Sequence, residues 1–476
     1  MPPAVTRLSS LNPSVQGASC ASKSIPVLRI LAAAFALMLA LALWQARPVQ
    51  AGIFNPESFT LDNGLTVVVL TNDRLPVVTQ MVWYKVGAAD DPPGKSGLAH
   101  FLEHLMFRGT GDIAPGEFSR IVSRNGGVDN AFTSADMTAY YQTVAADRLE
   151  LVMKLEADRM ANLALDDKEV LPERQVIIEE RRTRTENNPA ALLREQMNAA
   201  LFLHHPYRIP IIGWRHEMET LSREDALAFY KRHYAPNNAI LIVSGDVTVP
   251  RVRELAEKYY GPIKPAAIPK RVRAQEPPQI AARRVVLDSE RVRDPRFSRS
   301  YLAPSYTTGA TEHAYALQVL EHLLGGGATS RFYSGLVVEK EMAVSAWASY
   351  DSTAYDWGTF SIGAQPRGEI AVDKVEDALD AEIDRLLRDG VTQAEVDHAK
   401  KQLIAGATYA RDSLRQGAQV IGTALTAGRT IEDAEAWPER IQAVTVEQVN
   451  AAARHVFDID KSVTGILLPA RAEKRS

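Results

Sequence analysis

Two histidines and a glutamate in "SGLAHFLEHLMFRGTG", residues 96–111, have the types and spacing to hold a metal ion. On a helix, His100 and His104 lie one turn apart on a single face, about 6 Å along the axis, so both imidazoles can point at one cation. Glu103 falls on the same side and can reach a water at that metal. The order His-x-x-Glu-His inverts the His-Glu-x-x-His arrangement of many zinc sites. The alternative is a histidine pair hydrogen-bonded within a core.

A catalytic zinc takes three protein ligands and keeps a fourth position for water, so a third ligand must come from elsewhere. His204 and His205 sit in "FLHHPYR", a loop by composition, and His216, His233, His313, His398 and His455 are isolated. The acidic stretch "LPERQVIIEERRTRTE" says more. Pro172 suits a first helical turn. Glu173 and Glu180, two turns apart, share a face with Val176 and Ile177 between them, which predicts a largely buried face. Carboxylates on such a face need a cation. Arg174, Arg181 and Arg182 equally allow a solvated charged helix, and spacing leaves both Glu179 and Glu180 open as the ligand.

The elements that must position these residues follow from pattern. Asp62-Asn63-Gly64 between two β-rich runs predicts a hairpin, and "VVTQMVWYKVGA" a strand. "SGLAHFLEHLMF" has apolar residues at helical spacing, with Ser96 as its expected cap and Gly109 as its end. "DRLELVMKLEADRMANL" and "KEVLPERQVIIEERRTRT" predict helices, and "NAILIVSGDV" a buried strand. Residues 263–284 hold a proline-rich run without apolar periodicity, which predicts an extended connector. Beyond it, strands are expected near 285–290, 298–303, 343–350 and 359–365, helices near 370–389 and 392–411, and a last strand at "SVTGILL". "FLEHLM" at 101–106 returns as "VLEHLL" at 319–324, an offset of 218 residues, with Gln318 in the place of His100. With the similar α/β order of the two halves, this predicts a duplicated domain whose second copy lacks the metal set. The expected organisation is a leader at 1–51, a metal-binding domain at 52–262, the connector at 263–284 and a homologous domain at 285–476.

The chain has 476 residues and 46% apolar content, enough for two cored domains. A net charge of −4 and no basic run exclude nucleic acid as the expected partner. Positive residues, the uncharged run Ile30–Leu43 and the small-residue end Val49-Gln50-Ala51 have the form of a secretory signal peptide, and an uncleaved anchor is the alternative. The single cysteine, Cys20, would leave with it. A cysteine-free exported protein relies on core packing, and a bacterial periplasm fits.

These residues resemble the pitrilysin/insulinase-type metallopeptidases, which include mitochondrial processing peptidase and insulin-degrading enzyme. "HFLEHLMFRGT" is similar to the family's zinc helix and "ERQVIIEE", whose Glu180 lies 76 residues past His104, to its acidic helix. "GGVDNAFTSADMTAYY" and "PIIGWRHEMETLSREDALAFYKRHYAPNNAILIVSGDV" resemble the segments that complete the first domain. The resemblance covers essentially the whole chain after residue 51. It implies an α+β fold of two homologous domains, each an antiparallel-rich sheet packed with helices, forming half of a clam-like chamber. It further implies one Zn2+ per chain held by His100, His104 and Glu180, with Glu103 as general base and Glu173 as a supporting acid. Asn130 and Ala131 would lie on an edge strand that holds peptide substrates main chain to main chain.

The sequence departs from the family at one place. Self-sufficient relatives carry an arginine and a tyrosine seven residues apart in the C-terminal half, where they bind substrate and support the oxyanion. In "GLVVEKEMAVSAWASY" those positions are Val338 and Ser345, with Tyr350 and Arg331 as nearby substitutes. The resemblance therefore points to the zinc-bearing subunit of a heterodimer whose homologous partner supplies the Arg/Tyr pair, with a homodimer as the other assembly. A non-catalytic scaffold subunit of the same fold is the competing reading, and the complete metal set counts against it.

Overall fold

In the computed structural model, residues 52–470 are described; the segment expected to be a signal peptide, residues 1–51, lies outside them. The expected hairpin at Asp62–Gly64 joins β1 (Glu57–Thr60) to β2 (Thr66–Thr71). With β3 (Val77–Tyr84), β4 (Val128–Thr133), β5 (Thr138–Ala145) and β6 (Ala239–Gly245), these strands form one sheet in the order β1-β2-β6-β3-β5-β4. A second sheet contains β7 (Arg283–Ser289), β8 (Arg296–Ala303), β9 (Ala343–Tyr350), β10 (Gly358–Pro366) and β11 (Ser462–Pro469), ordered β7-β11-β8-β10-β9.

Without β1, the two orders are the same. Each sheet has one parallel pair, β2 with β6 and β7 with β11, and its other pairs are antiparallel. One topology is thus used twice, as the repeated Leu-Glu-His-Leu predicted, and the expected α+β class with two antiparallel-rich sheets holds. The helices that matter for the site are α1 (Leu98–Leu105), α2 (Leu149–Asn162), α3 (Asp167–Arg181) and α4 (Pro189–Leu201), followed by α5 (Ala314–Gly325), α6 (Val372–Asp389), α7 (Gln393–Ala410) and α8 (Leu414–Thr426).

Side chains alternate across each strand, so both faces of the first sheet need cover. Val67 and Val69 of β2 pack with α1 and α2 in the larger core. Val68 and Leu70, on the opposite face, pack with Ala418, Ile421 and Ala424 of α8, a helix from the other half of the chain. The second sheet receives the reciprocal cover, since Leu193, Met197 and Leu201 of α4 pack against Val463 and Leu467 of β11. Glycines allow both crossings. A Cβ on Gly422 of α8 would come within 2.1 Å of the Trp83 ring, and one on Gly465 of β11 within 2.1 Å of Met197 Sδ.

Between the sheets the chain runs from 263 to 282 without helix or strand. It is extended and tied down. Arg271 and Arg273 both pair with Asp90, Arg273 also pairs with Asp136, and its Nε lies 3.5 Å from Asp356 of the second lobe. These charges leave water only because each meets an opposite charge. Among the described residues, no helix is long and apolar enough to cross a membrane.

Candidate metal centre

Helix α1 starts where Gly97 takes a left-handed conformation, φ +85°. Its expected cap, Ser96, does a different job: Ser96 Oγ accepts a hydrogen bond from Trp214 N at 2.8 Å. The open amides of the helix are met instead by Asp91, whose carboxylate accepts from Gly97 N and Ala99 N, each at 2.8 Å. The helix ends at Leu105 with Met106 as its cap, just ahead of the turn that contains Gly109. Apolar residues Leu98, Phe101, Leu102 and Leu105 bury one side. His100, Glu103 and His104 are left facing α3 and β4.

Helix α3 begins at Asp167 after Asp166, whose side chain accepts from Asp167 N. Pro172 therefore lies inside the helix, in its second turn, and not in the first turn as expected. Glu173, Ile177 and Glu180 follow one stripe: Glu173 and Ile177 are buried and Glu180 is half-buried. Val176, expected on that face, is 47% exposed, because at 3.6 residues per turn it sits about 60° off the line joining 173, 177 and 180. The two neighbouring glutamates point in different directions. Glu179 turns outward to a bidentate pair with Arg182. Glu180 turns inward.

The side chains of His100, His104 and Glu180 offer ligand atoms that all lie within 4.8 Å of one another. Glu180 Oε2 is 3.6 Å from His100 Nε2 and 3.3 Å from His104 Nε2. Behind this trio, His104 Nδ1 meets Glu173 Oε1 at 2.8 Å, and Arg108 pairs with the other oxygen of Glu173. Glu103 accepts a 2.5 Å hydrogen bond from Thr133 Oγ1, at the end of β4. Four elements thus meet in the site: α1, α3, β4 and the turn after α3 that carries Arg184, which pairs with Glu180 Oε1 at 2.5 Å. Thr133, Arg108 and Arg184 escaped the sequence reading, although the spacings 104/108 and 180/184 are one helical turn each and could have marked the last two.

Burial and the neighbouring charges set the protonation of these groups. Burial, reinforced by the neighbouring His104, lowers His100 to about 4, so its ring is neutral. Burial also opposes charge on His104, but the neighbouring carboxylates of Glu173 and Glu180 outweigh it and raise the group to about 9. Glu180 is held low by the His104 imidazole, whose Nε2 lies 3.3 Å from its Oε2. Glu103 is raised by burial, with the Thr133 hydroxyl opposing. Within the site, Glu180 Oε2 and His100 Nδ1 are buried without a hydrogen-bond partner, as is Arg108 Nε beside Glu173. An orphaned carboxylate oxygen facing two imidazole nitrogens fits a divalent cation, and the donor set of two histidines and one glutamate suits zinc.

Asn130 and Ala131 lie on β4, the outermost strand of the first sheet. Asn130 is exposed and Ala131 half-buried, and the Ala131 amide donates to Asn130 Oδ1 at 2.8 Å. In the second lobe, the positions expected to carry an arginine and a tyrosine are Val338, exposed, and Ser345, half-buried on the edge strand β9. The nearby substitutes are committed elsewhere. Arg331 makes a bidentate pair with Glu395, and Tyr350 Oη donates to the Pro304 carbonyl at 2.5 Å.

Comparison with known proteins agrees with this architecture. Residues 67–214 match the family model described as Insulinase (Peptidase family M16), and residues 220–403 the one described as Peptidase M16 inactive domain. Zinc protease PqqE of Helicobacter pylori is 36% identical over 350 residues, which span 72% of this chain and 77% of that protein. The crystal structure of a protease from Helicobacter pylori matches with a TM-score of 0.82 at 32% identity, covering 87% of this chain and 99% of the other. The periplasmic protease PqqL of Escherichia coli shares the fold, with a TM-score of 0.75 at 19% identity, and the match covers 89% of this chain but 49% of that longer one.

Proposed function

The chain belongs to peptidase family M16, the insulinase family, and on that premise we propose that it is a zinc endopeptidase acting on peptides or unfolded segments. The observation that carries this reading is the convergence of His100, His104 and Glu180 within 4.8 Å. These three residues would hold one zinc ion. Bound there, zinc would supply Lewis acidity, making water easier to deprotonate and polarising a peptide carbonyl.

The remaining work falls to the chain's own side chains. Glu103, raised by burial, is the group that takes and returns a proton, and Thr133 fixes its carboxylate at Oε2. Glu173 orients the His104 ring through Nδ1, which leaves Nε2 for the metal. The free edge of β4 at Asn130 and Ala131 receives an extended peptide as an added strand. Thr133 belongs to that same strand, so docking of substrate and alignment of the base share one element.

A homologous partner subunit supplies the arginine and tyrosine absent at Val338 and Ser345. In support, Arg331 and Tyr350 are held by other groups, and a chain of about twice the matched length carries this fold in Escherichia coli PqqL. A homodimer would lack the pair on both sides. The match to the inactive-domain model falls on residues 220–403, the half without the metal residues, which favours a division of labour within the chain over a scaffold role for all of it. The leader-like segment supports a periplasmic location.

The test is cleavage of fluorogenic peptides by the zinc-loaded chain, alone and with a co-expressed homologue that carries the Arg/Tyr pair. Turnover should be weak alone, strong with the partner, and absent with Glu103→Gln. Zinc-free preparations retaining full activity, or Glu103→Gln retaining it, would overturn the proposal.

A further inference from the structure

Beside the candidate metal centre, between the two lobes, lies a cavity of about 550 Å³. It joins the site at two points. Ser134 on its wall follows Thr133, the partner of Glu103. Arg184, also on its wall, pairs with Glu180. A peptide laid along β4 therefore passes the mouth of this cavity.

Three arginines line it: Arg184, Arg194 and Arg208. Their placement follows from how α4 is built. Asn188 caps the helix by accepting from Ala190 N and Ala191 N. Leu193, Met197 and Leu201 bury against the second sheet, and Glu195 turns back to a bidentate pair with Arg181. Arg194 and Asn198, one turn apart, are left exposed and face the cavity. Arg194 has no ion pair or side-chain hydrogen bond among the described residues, and Arg208 donates only to the Leu203 carbonyl, at 2.7 Å.

The acids on the same wall do not balance these cations. Asp136 is satisfied by Arg273 and Tyr207, and Glu195 by Arg181. Asp351, which accepts from Thr353 on the second lobe, is the remaining acid. Arg194 and Arg208 thus leave a cationic pocket next to a peptide-binding edge, and planar guanidinium groups suit a carboxylate.

We infer that this cavity is a specificity pocket for a carboxylate of the bound peptide, with Arg194 as its principal anchor and Arg208 in support. The carboxylate is either an Asp or Glu side chain near the scissile bond or the peptide's free C-terminus. The inference rests on the peptidase reading above, whose site it extends. It predicts that a peptide carboxylate at one fixed place, side chain or terminus, strengthens binding.

The test measures binding of fluorescein-labelled decapeptides to the zinc-loaded Glu103→Gln chain by anisotropy. One set carries Glu, Gln or Lys at each position in turn, and a second carries a free or an amidated C-terminus. At one position, or at the terminus, the carboxylate form should bind about tenfold more tightly than its neutral counterpart. That ratio should fall below about twofold in Arg194→Ala, and Arg194→Glu should favour Lys there. The position identifies the source as side chain or terminus. Ratios below about twofold everywhere, or a ratio untouched by Arg194→Ala, would overturn the pocket. Parallel cleavage assays by the unsubstituted chain, with and without the partner, separate the two ideas. Turnover without carboxylate preference removes the pocket alone, whereas preference without turnover keeps the pocket and removes the peptidase.

Discussion

Helices α1 and α5 occupy the same place in two copies of one topology, yet their polar residues meet different ends. His100, Glu103 and His104 of the first have Gln318, Glu321 and His322 as counterparts. In the first lobe the polar atoms point at a shared space and two of them lack partners. In the second, Gln318 is held on both sides: its amide donates to Tyr306 Oη and its oxygen accepts from Trp437 Nε1 at 2.9 Å. His322 pairs with Gln402 of α7 at 2.6 Å. No second metal cluster occurs among the described residues. The second lobe has thus closed the counterparts of the two histidines into hydrogen bonds and left only Glu321 without one, whereas unsatisfied groups that converge, as in the first lobe, invite a ligand.

The comparison can be broken first at the carboxylates. Glu103→Gln should lower kcat by about 10²–10⁴ with zinc content unchanged, whereas Glu321→Gln should leave kcat as it is. Equal losses in steady-state assays of the two variants would erase the distinction between the lobes.

Metal content gives the next contrast. His104→Ala or Glu180→Gln should abolish stoichiometric zinc by elemental analysis, and His322→Ala should not alter it. Glu173→Gln, which frees the His104 ring to turn, should weaken zinc binding by about 10–100-fold, as read by competition with a chelator of known affinity. Unchanged affinity would mean that Glu173 does not orient the ring.

A pH dependence follows from His104. In the metal-free chain the carboxylates of Glu173 and Glu180 raise it, against burial, to about 9. Zinc must then displace one proton at neutral pH, while His100, lowered to about 4, is already free of its own. Zinc affinity should therefore rise about tenfold per pH unit from about pH 7 to 8 and level off above about 9. Calorimetry in buffers of different ionisation enthalpy should count one proton released per zinc; none released would contradict the raised state of His104.

Stability supplies the smallest effects and a test of the second lobe. Burial raises Glu321 to about 7 from an unfolded value of 4.5. For a carboxyl raised on folding, the cost is absent below the unfolded pKa, grows between the two values and is complete above the folded one. Glu321→Gln should thus have little effect near pH 4.5 and stabilise the chain by about 1–3 kcal/mol near pH 8. Gly422→Val and Gly465→Val, which would crowd Trp83 and Met197, should each destabilise by about 1–3 kcal/mol in denaturant titrations. A loss at only one would show that the two helix exchanges are not equivalent.

How far the sequence could be read depends on the range of the interaction concerned. His100, Glu103 and His104 are legible because they sit within one helical turn, where spacing alone sets direction. Glu173 and Glu180 are legible as a pair for the same reason, but Glu179 competes with Glu180 until the outward pull of Arg182 is seen. Ser96 looked like a cap by residue type, while the true cap, Asp91, lies upstream and reaches the helix through a loop. The repeated topology showed itself in Leu-Glu-His-Leu and in the order of strands. The exchange of α4 and α8 between sheets did not. An amphipathic pattern says that a helix has an apolar face but not which sheet covers it, and here the cover comes from the other half of the chain. Arg331 and Tyr350 likewise looked available by proximity, and only long-range partners remove them.

Diffraction data collected on either side of the zinc absorption edge, from crystals of the purified chain, address the difference between the lobes most directly. A single anomalous peak bounded by His100, His104 and Glu180, with none near Gln318 and His322, is the predicted result. A first lobe without a peak in zinc-grown crystals, or a peak in the second lobe, would contradict it.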